Sequence, residues 1–169
     1  TRTWLQMTRP VRADEAWSLP ALRPGVVVRP VERHADGLPV AQDLQDVHRV
    51  LEESFQDHFS SYRESFPEFV MRLREDPGHR WDHWWIAEIV DGDEPEAAGA
   101  LVGTVSEGSS GDGSYVSYLG VLESARGRGV ATGLLNTIIA DAAERSRDRV
   151  GLEVDADSPT GAEGLYVAM

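Results

Sequence analysis

Apolar positions along the chain follow two periods, and each predicts a different kind of element. Thr3-Trp4-Leu5-Gln6-Met7-Thr8 alternates imperfectly and is rich in strand formers, so it reads as a short strand. From Arg9 onward Pro10, Pro20 and Pro24 interrupt the chain without any clear period, which predicts a linker or extended arm. Val26-Val27-Val28-Arg29-Pro30-Val31 is a second strand, which Pro30 ends or confines to an edge. Residues 42–55 then switch to helical spacing, with Leu44, Val47, Val50, Leu51 and Phe55 on one stripe opposite Asp, Glu and His. A second helix opens at Ser65-Phe66-Pro67-Glu68. Ser65 suits the N-cap, Pro67 is tolerated in the first turn, and Glu68 sits where a capping box places it. Phe69, Val70 and Leu73 supply its apolar face, and Asp76-Pro77-Gly78 stops it.

The pattern next turns to strands at 84–90, 98–105 and 115–121, with Asp91-Gly92-Asp93 as the first turn and a Gly/Ser connection over 106–114. A helix over 129–145 follows, carrying Leu134, Leu135, Ile138, Ile139, Ala142 and Ala143 at helical spacing. A strand over 150–154 leads to a last helix that Thr160 caps and that contains Leu165 and Tyr166. The order predicts a mixed α/β (α+β) fold with an antiparallel meander at its centre. Its 115–121 strand, helix and 150–154 strand form a βαβ crossover with the two strands parallel. An edge left open in such a sheet invites pairing, so the Thr3–Thr8 segment is expected to add to a sheet edge, in its own domain or in a neighbouring copy.

Length and composition narrow the class. The chain has 169 residues, a 41% hydrophobic fraction and no cysteine. One compact domain follows from the length, and disulfide scaffolds, cysteine zinc sites and thiol nucleophiles are excluded. The absence of cysteine suits a reducing, cytoplasmic setting. No apolar stretch approaches the ~18 residues that span a bilayer, and residues 1–10 lack a basic-then-apolar signal pattern. Asp and Glu outnumber Lys and Arg by 29 to 16, a formal charge of −13. That balance argues against nucleic acid as the main partner; it suits either a cationic substrate or plain solubility.

Candidate chemistry gathers between the 115–121 strand and the following helix, in Leu122-Glu123-Ser124-Ala125-Arg126-Gly127-Arg128-Gly129-Val130-Ala131-Thr132-Gly133. A glycine-rich turn into a helix leaves the first backbone N–H groups without internal partners, and the helix dipole favours negative charge there. Gly127 and Gly129 let a ligand approach the backbone, and Arg126 and Arg128 add donors suited to phosphate. A phosphate-loop NTPase needs Gly-Lys-Ser/Thr, and no lysine stands here. A dinucleotide fold needs a third glycine where Thr132 stands. The remaining reading is a CoA diphosphate.

Arg126-x-x-Gly129-x-Ala131 resembles the Arg/Gln-x-x-Gly-x-Gly/Ala signature of the GNAT superfamily of N-acetyltransferases. Leu119-Gly120-Val121 looks like the family's splayed strand, and residues 152–157 with Leu165-Tyr166 look like its next strand and final helix. The resemblance covers 26–169, most closely 115–166. It implies a mostly antiparallel sheet flanked by helices, with a parallel splay at an acyl-CoA site. It further implies that the backbone of Leu119 and Val121 pairs with pantetheine, that the amides of Gly127, Arg128, Gly129, Val130, Ala131 and Thr132 hold the diphosphate, and that the Val121 N–H polarises the thioester carbonyl. Tyr166 matches the tyrosine that protonates the departing thiolate in many members; the other reading of Tyr166 is a packing aromatic. Ser158 stands where the family often has Asn on the CoA side.

The activity implied is transfer of an acetyl group from acetyl-CoA to an unidentified amine by direct attack. The alternative is a non-catalytic acyl-CoA-binding or structural half of a tandem protein. Residues 1–25 read as an N-terminal strand and linker arm, similar to the end of a preceding domain, and 26–169 as a GNAT-like domain lacking its last strands. Residues 53–59 and 155–162 resemble the C-terminal half of tandem, mycothiol synthase-like members, so a preceding GNAT domain or a homodimer is the partner expected. No general base stands out: Glu88, Glu107 and Asp155 lie near strand ends, where each also reads as a surface carboxylate. His58 and Phe59 follow the first helix and read as acceptor-pocket or packing residues. His79 and His83 sit with Trp81, Trp84 and Trp85 in what reads as a loop, without a third ligand, so no metal is expected.

Overall fold

The computed structural model describes residues 4–54, 65–108, 111–155 and 169. Among them six strands form one sheet: β1 (Trp4–Pro10), β2 (Val26–Pro30), β3 (His79–Ile89), β4 (Glu96–Ser106), β5 (Gly113–Val121) and β6 (Arg149–Asp155). Their order is β1-β6-β5-β4-β3-β2, and every neighbouring pair is antiparallel except β5 and β6. Among the described residues three α-helices flank the sheet: α1 (Ala41–Ser54), α2 (Phe66–Arg74) and α3 (Val130–Glu144); the last helix expected from Thr160 lies outside the described residues. Among the described residues no helix is long and apolar enough to cross a membrane.

The sheet is covered on both faces, which explains why its central strands are apolar runs rather than clean alternations. On β3 the faces still separate by the two-residue period. Trp85 and Ala87 join Leu101, Val130, Leu134 and Ile138 on the α3 side. Trp84 and Ile86 join Val47, Val50, Leu51 and Phe69 on the α1 and α2 side. Four members of the expected α1 stripe, Leu44, Val47, Val50 and Leu51, are buried, and the fifth, Phe55, lies outside the described residues. Its first turn is fixed by Asp43, which accepts two bonds from Arg29 of β2, at 2.8 and 2.9 Å, and one from the Glu32 N–H at 2.8 Å. The Arg29 guanidinium holds the Asp43 carboxyl below its usual range. At α2 the capping box forms as the sequence predicts, with the Glu68 N–H donating to Ser65 Oγ and the Ser65 N–H donating to Glu68.

Three departures from the sequence reading have local causes. The 79–83 segment is the start of β3 and not a loop: a register shift between His79 and Trp84 disrupts the alternation that marks a strand. The Pro-rich arm contains a 3-10 turn, Ala13–Ala16, held because Glu15 accepts from Arg9 at 2.6 and 3.0 Å and from the Arg12 N–H at 2.9 Å. The Arg9 hydrogen bonds hold the buried Glu15 carboxyl at about 2. The N-terminal strand runs two residues further than expected and adds to β6 within its own sheet, with Trp4 opposite Asp155 and Pro10 opposite Arg149.

The far end of the sheet is locked by a polar cluster. His83 is fully buried. Arg147 has only protons to give, so His83 Nε2 accepts from its Nη1 at 2.7 Å and Nδ1 donates to Asp82 at 2.6 Å. Burial pushes the His83 pKa down against the pull of Asp82. The unfolded chain protonates this imidazole near ~6.5 while the folded chain resists it. Stability is therefore fully present above that value and falls, by up to roughly 1.4 kcal/mol per pH unit, until the folded pKa is reached. His83→Gln removes the titration. Between pH 7.5 and 5 the wild type is expected to lose more thermal stability than this variant; parallel melting curves across that range would refute the neutral, buried imidazole.

Candidate functional site

Among the described residues β5 is paired on both edges only in its first half. It meets β6 at Ser114 opposite Val150, Tyr115 opposite Gly151 and Val116 opposite Leu152. Beyond Val116, β5 stays with β4 while β6 stays with β1 as far as Asp155, so the two parallel strands splay apart. The Leu122 N–H donates to the Ala98 carbonyl of β4 at 2.8 Å, and Gly120 lies opposite Ala100. Backbone groups alternate sides along a strand. Leu119 and Val121 therefore direct their N–H and C=O away from β4, into the opening that β6 has left. On the α1 face, a Cβ at Gly120 would stand 2.2 Å from Ser54 Oγ and 3.0 Å from Leu51 Cδ2, so the last turn of α1 lies directly on the strand at this point.

The chain leaves β5 through a short 3-10 turn, Glu123–Ala125, in which Ala125 is buried. Gly127 and Gly129 then adopt φ of +83° and +78°, a region that side chains rarely tolerate. Gly129 is the N-cap of α3, with no side chain capping it. The first intrahelical bond runs from the Gly133 N–H to the Gly129 carbonyl at 2.9 Å. The N–H groups of Val130, Ala131 and Thr132 therefore have no partner within the helix. The Val130 side chain is 1% exposed and packs in the core, which holds the helix start in place against β4. Ala131 and Thr132 are half-buried. The two features share one end of β5: the opening beside Leu119 and Val121 leads to the glycine turn and the start of α3.

Two arginines redistribute the charge at this turn. Arg128 is tied to Asp91, in the turn after β3, at 2.7 Å. Arg23, from the Pro-rich arm, donates Nη1 to the Gly127 carbonyl at 3.0 Å. Nothing in the local sequence marks Arg23; only the fold brings it across more than a hundred residues to the turn. Of the base candidates, Glu88 accepts from Arg29 at 3.2 Å and is bound into the Arg29–Asp43 network. Glu107 is exposed, just beyond β4. Asp155 ends β6. His79 rests on Trp81 with ring centroids 4.3 Å apart, Trp84 and Trp85 are core residues on opposite faces, and among the described residues no group of three His, Cys, Asp or Glu suits a metal. His58, Phe59, Ser158 and Tyr166 lie outside the described residues.

The profile of the acetyltransferase (GNAT) family matches residues 44–169. The chain belongs to the GNAT acetyltransferase family. Members of this family are acetyl-CoA-dependent N-acetyltransferases. No curated protein sequence matches the chain. Among solved structures, it resembles a GCN5-related N-acetyltransferase from Sphaerobacter thermophilus at a TM-score of 0.70 and 23% identity, covering 99% of this chain and 47% of that one. It also resembles the NatC complex bound to Gag peptide and CoA (0.63, 19%, 85% of this chain and 82% of that one). A third likeness is to the ribosomal-protein-S18-alanine N-acetyltransferase of Escherichia coli (0.59, 15%, 85% and 75%). At these identities the likeness establishes the mixed α/β GNAT fold. This GNAT chain spans about half the length of the Sphaerobacter protein.

The contact at Gly120 yields a stability test. Gly120→Ala forces a Cβ onto Ser54, and the resulting overpacking is expected to cost about 1–3 kcal/mol in urea unfolding. Adding Ser54→Gly removes the atom that the new methyl meets and restores part of the loss. Equal stabilities for the single and double variants would contradict the close approach of α1 to β5.

Proposed function

We propose that this GNAT chain transfers an acetyl group from acetyl-CoA to an amine by direct attack. The observation that carries this reading is the splay of β5 from β6, with the backbone groups of Leu119 and Val121 facing the opening and the glycine turn at its end. An extended pantetheine would add to the free edge of β5 as a strand does. The N–H groups from Gly127 to Thr132 would hold the diphosphate at the start of α3, where the dipole favours anions. The Val121 N–H would donate to the thioester carbonyl as negative charge develops on it. The amine lone pair forms the new C–N bond and the C–S bond breaks. The thiolate takes a proton from Tyr166, a phenol still protonated at neutral pH with a reference pKa of about 10; the attacking nitrogen gives its proton to water, and the tyrosinate is reprotonated from water. Ser158 would bond on the CoA side.

A second reading is favoured by one observation: the chain covers only 47% of the Sphaerobacter acetyltransferase. In that reading it is one half of a tandem GNAT protein, paired with a second GNAT domain, and it binds acyl-CoA without turning it over. Thiol release from acetyl-CoA over an amine panel, run beside equilibrium CoA binding, separates the two. Binding without release across the panel selects the second reading.

Gly129→Trp sets a bulky side chain at the glycine turn and is expected to abolish CoA binding in calorimetric titration, with the far-ultraviolet dichroism of a folded domain. Wild-type affinity in that variant would remove the diphosphate assignment. Tyr166→Phe keeps the ring and removes the acid. It is expected to lower kcat on the order of 10²-fold while CoA affinity stays within a factor of two or so. An unchanged rate, with chemistry limiting, would leave Tyr166 as a packing residue.

A further inference from the structure

Arg23 lies outside the family-matched residues 44–169 and in a segment with no catalytic signature, yet it stands at the glycine turn. We infer that Arg23 is a diphosphate-binding residue of the acyl-CoA site, supplied by the arm that precedes β2; this rests on the acyl-CoA reading above.

The arm is built to hold this side chain in place. Arg23-Pro24-Gly25-Val26 forms a tight turn closed by the Val26 N–H donating to the Arg23 carbonyl at 3.2 Å, with Gly25 at φ +82°. Proline at the second position and a positive-φ glycine at the third are the requirements of a type II turn. Pro24 also restricts the backbone of Arg23 itself. The Gly25 carbonyl accepts from the Val90 N–H at 2.9 Å, which ties the turn to the end of β3. Ahead of it, Leu22 packs on α3 so closely that a Cβ at Gly133 would meet its Cδ2 at 2.6 Å. Arg23 is thus fixed from both sides in sequence.

Its side chain runs along the glycine turn. A Cβ at Gly129 would stand 3.0 Å from both Cδ and Nε of Arg23, and Nη1 reaches the Gly127 carbonyl. A guanidinium has five N–H donors, so one bond to a carbonyl leaves the rest of the fork for an anion. Among the described residues no carboxylate pairs with Arg23. Arg128, by contrast, lies over Gly25 and is held by Asp91, so its charge is already matched. In a chain of formal charge −13, an exposed guanidinium held at the glycine turn, with no carboxylate partner among the described residues, is where a diphosphate gains a bidentate partner.

The test is calorimetric titration of the whole chain with CoA, dephospho-CoA and S-acetylpantetheine, comparing wild type with Arg23→Gln and Arg23→Lys. Gln removes the charge and is too short to bring an N–H to the Nη1 position, so melting temperatures report what the bond to the Gly127 carbonyl contributes structurally; Lys keeps the charge. Arg23→Gln is expected to bind CoA about ten-fold more weakly, with Arg23→Lys between it and wild type, and with matching melting temperatures. The loss should persist with dephospho-CoA and vanish with S-acetylpantetheine, which has no diphosphate. Wild-type CoA affinity in Arg23→Gln, or a loss confined to CoA with its 3′-phosphate, overturns the inference while leaving the acyl-CoA reading intact. No CoA binding by the wild type overturns both.

Discussion

Everything that makes this sheet a candidate acyl-CoA site depends on β5 and β6 parting after three paired positions. Two parallel neighbours that stayed together would satisfy each other's backbone groups and leave nothing to offer. Here the partners are divided instead: β4 keeps the rest of β5, and β1 keeps the rest of β6. Leu119 and Val121 are left with backbone polar groups facing the opening, a position that favours a partner. The glycine turn and α3 then begin where β5 ends, so amides of two kinds, from a strand edge and from a helix start, occur together without partners among the described residues.

The rigidity of that arrangement comes from burial on both faces. Val130 anchors the start of α3 on one side of the sheet, and the last turn of α1 sits against Gly120 on the other. Neither helix can slide along β5 without opening a gap or forcing a clash in a close-packed interior. The aromatic and aliphatic content of β3 and β4 does the same for the strands beneath. The geometry of the opening is thus set by hydrophobic packing remote from any reacting atom.

What the sequence revealed was local, and what it concealed was long-range. The Ser65–Glu68 capping box, the α1 stripe and the glycine turn are each written within a few residues, and each appears where the periodicity places it. The start of β3 was hidden because a register shift between His79 and Trp84 breaks the two-residue period. The partners of Arg128 and Arg23 were invisible for another reason: side chains from the arm, the β3–β4 turn and the glycine turn meet only after the sheet has formed. All sixteen basic residues of the chain are arginine. A planar fork can grip a carboxylate or carbonyl at two points. Arg9 on Glu15 and Arg29 on Asp43 use it to fix the arm and α1, pairings that no helical or strand period marks.

The pairing of β1 with β6 also bears on how the chain comes together in time. Trp4 faces Asp155, so the two strands are separated by nearly the whole described sequence. Closing so long a loop carries an entropic penalty that nearer contacts do not, and it is met only after the intervening hairpins and the βαβ unit have condensed. During synthesis β1 is therefore made long before β6 and is among the last strands to find its partner. Until β6 has been synthesised, Leu5 and Met7 lack the strand they pair with in this sheet, and β1 is carried without it.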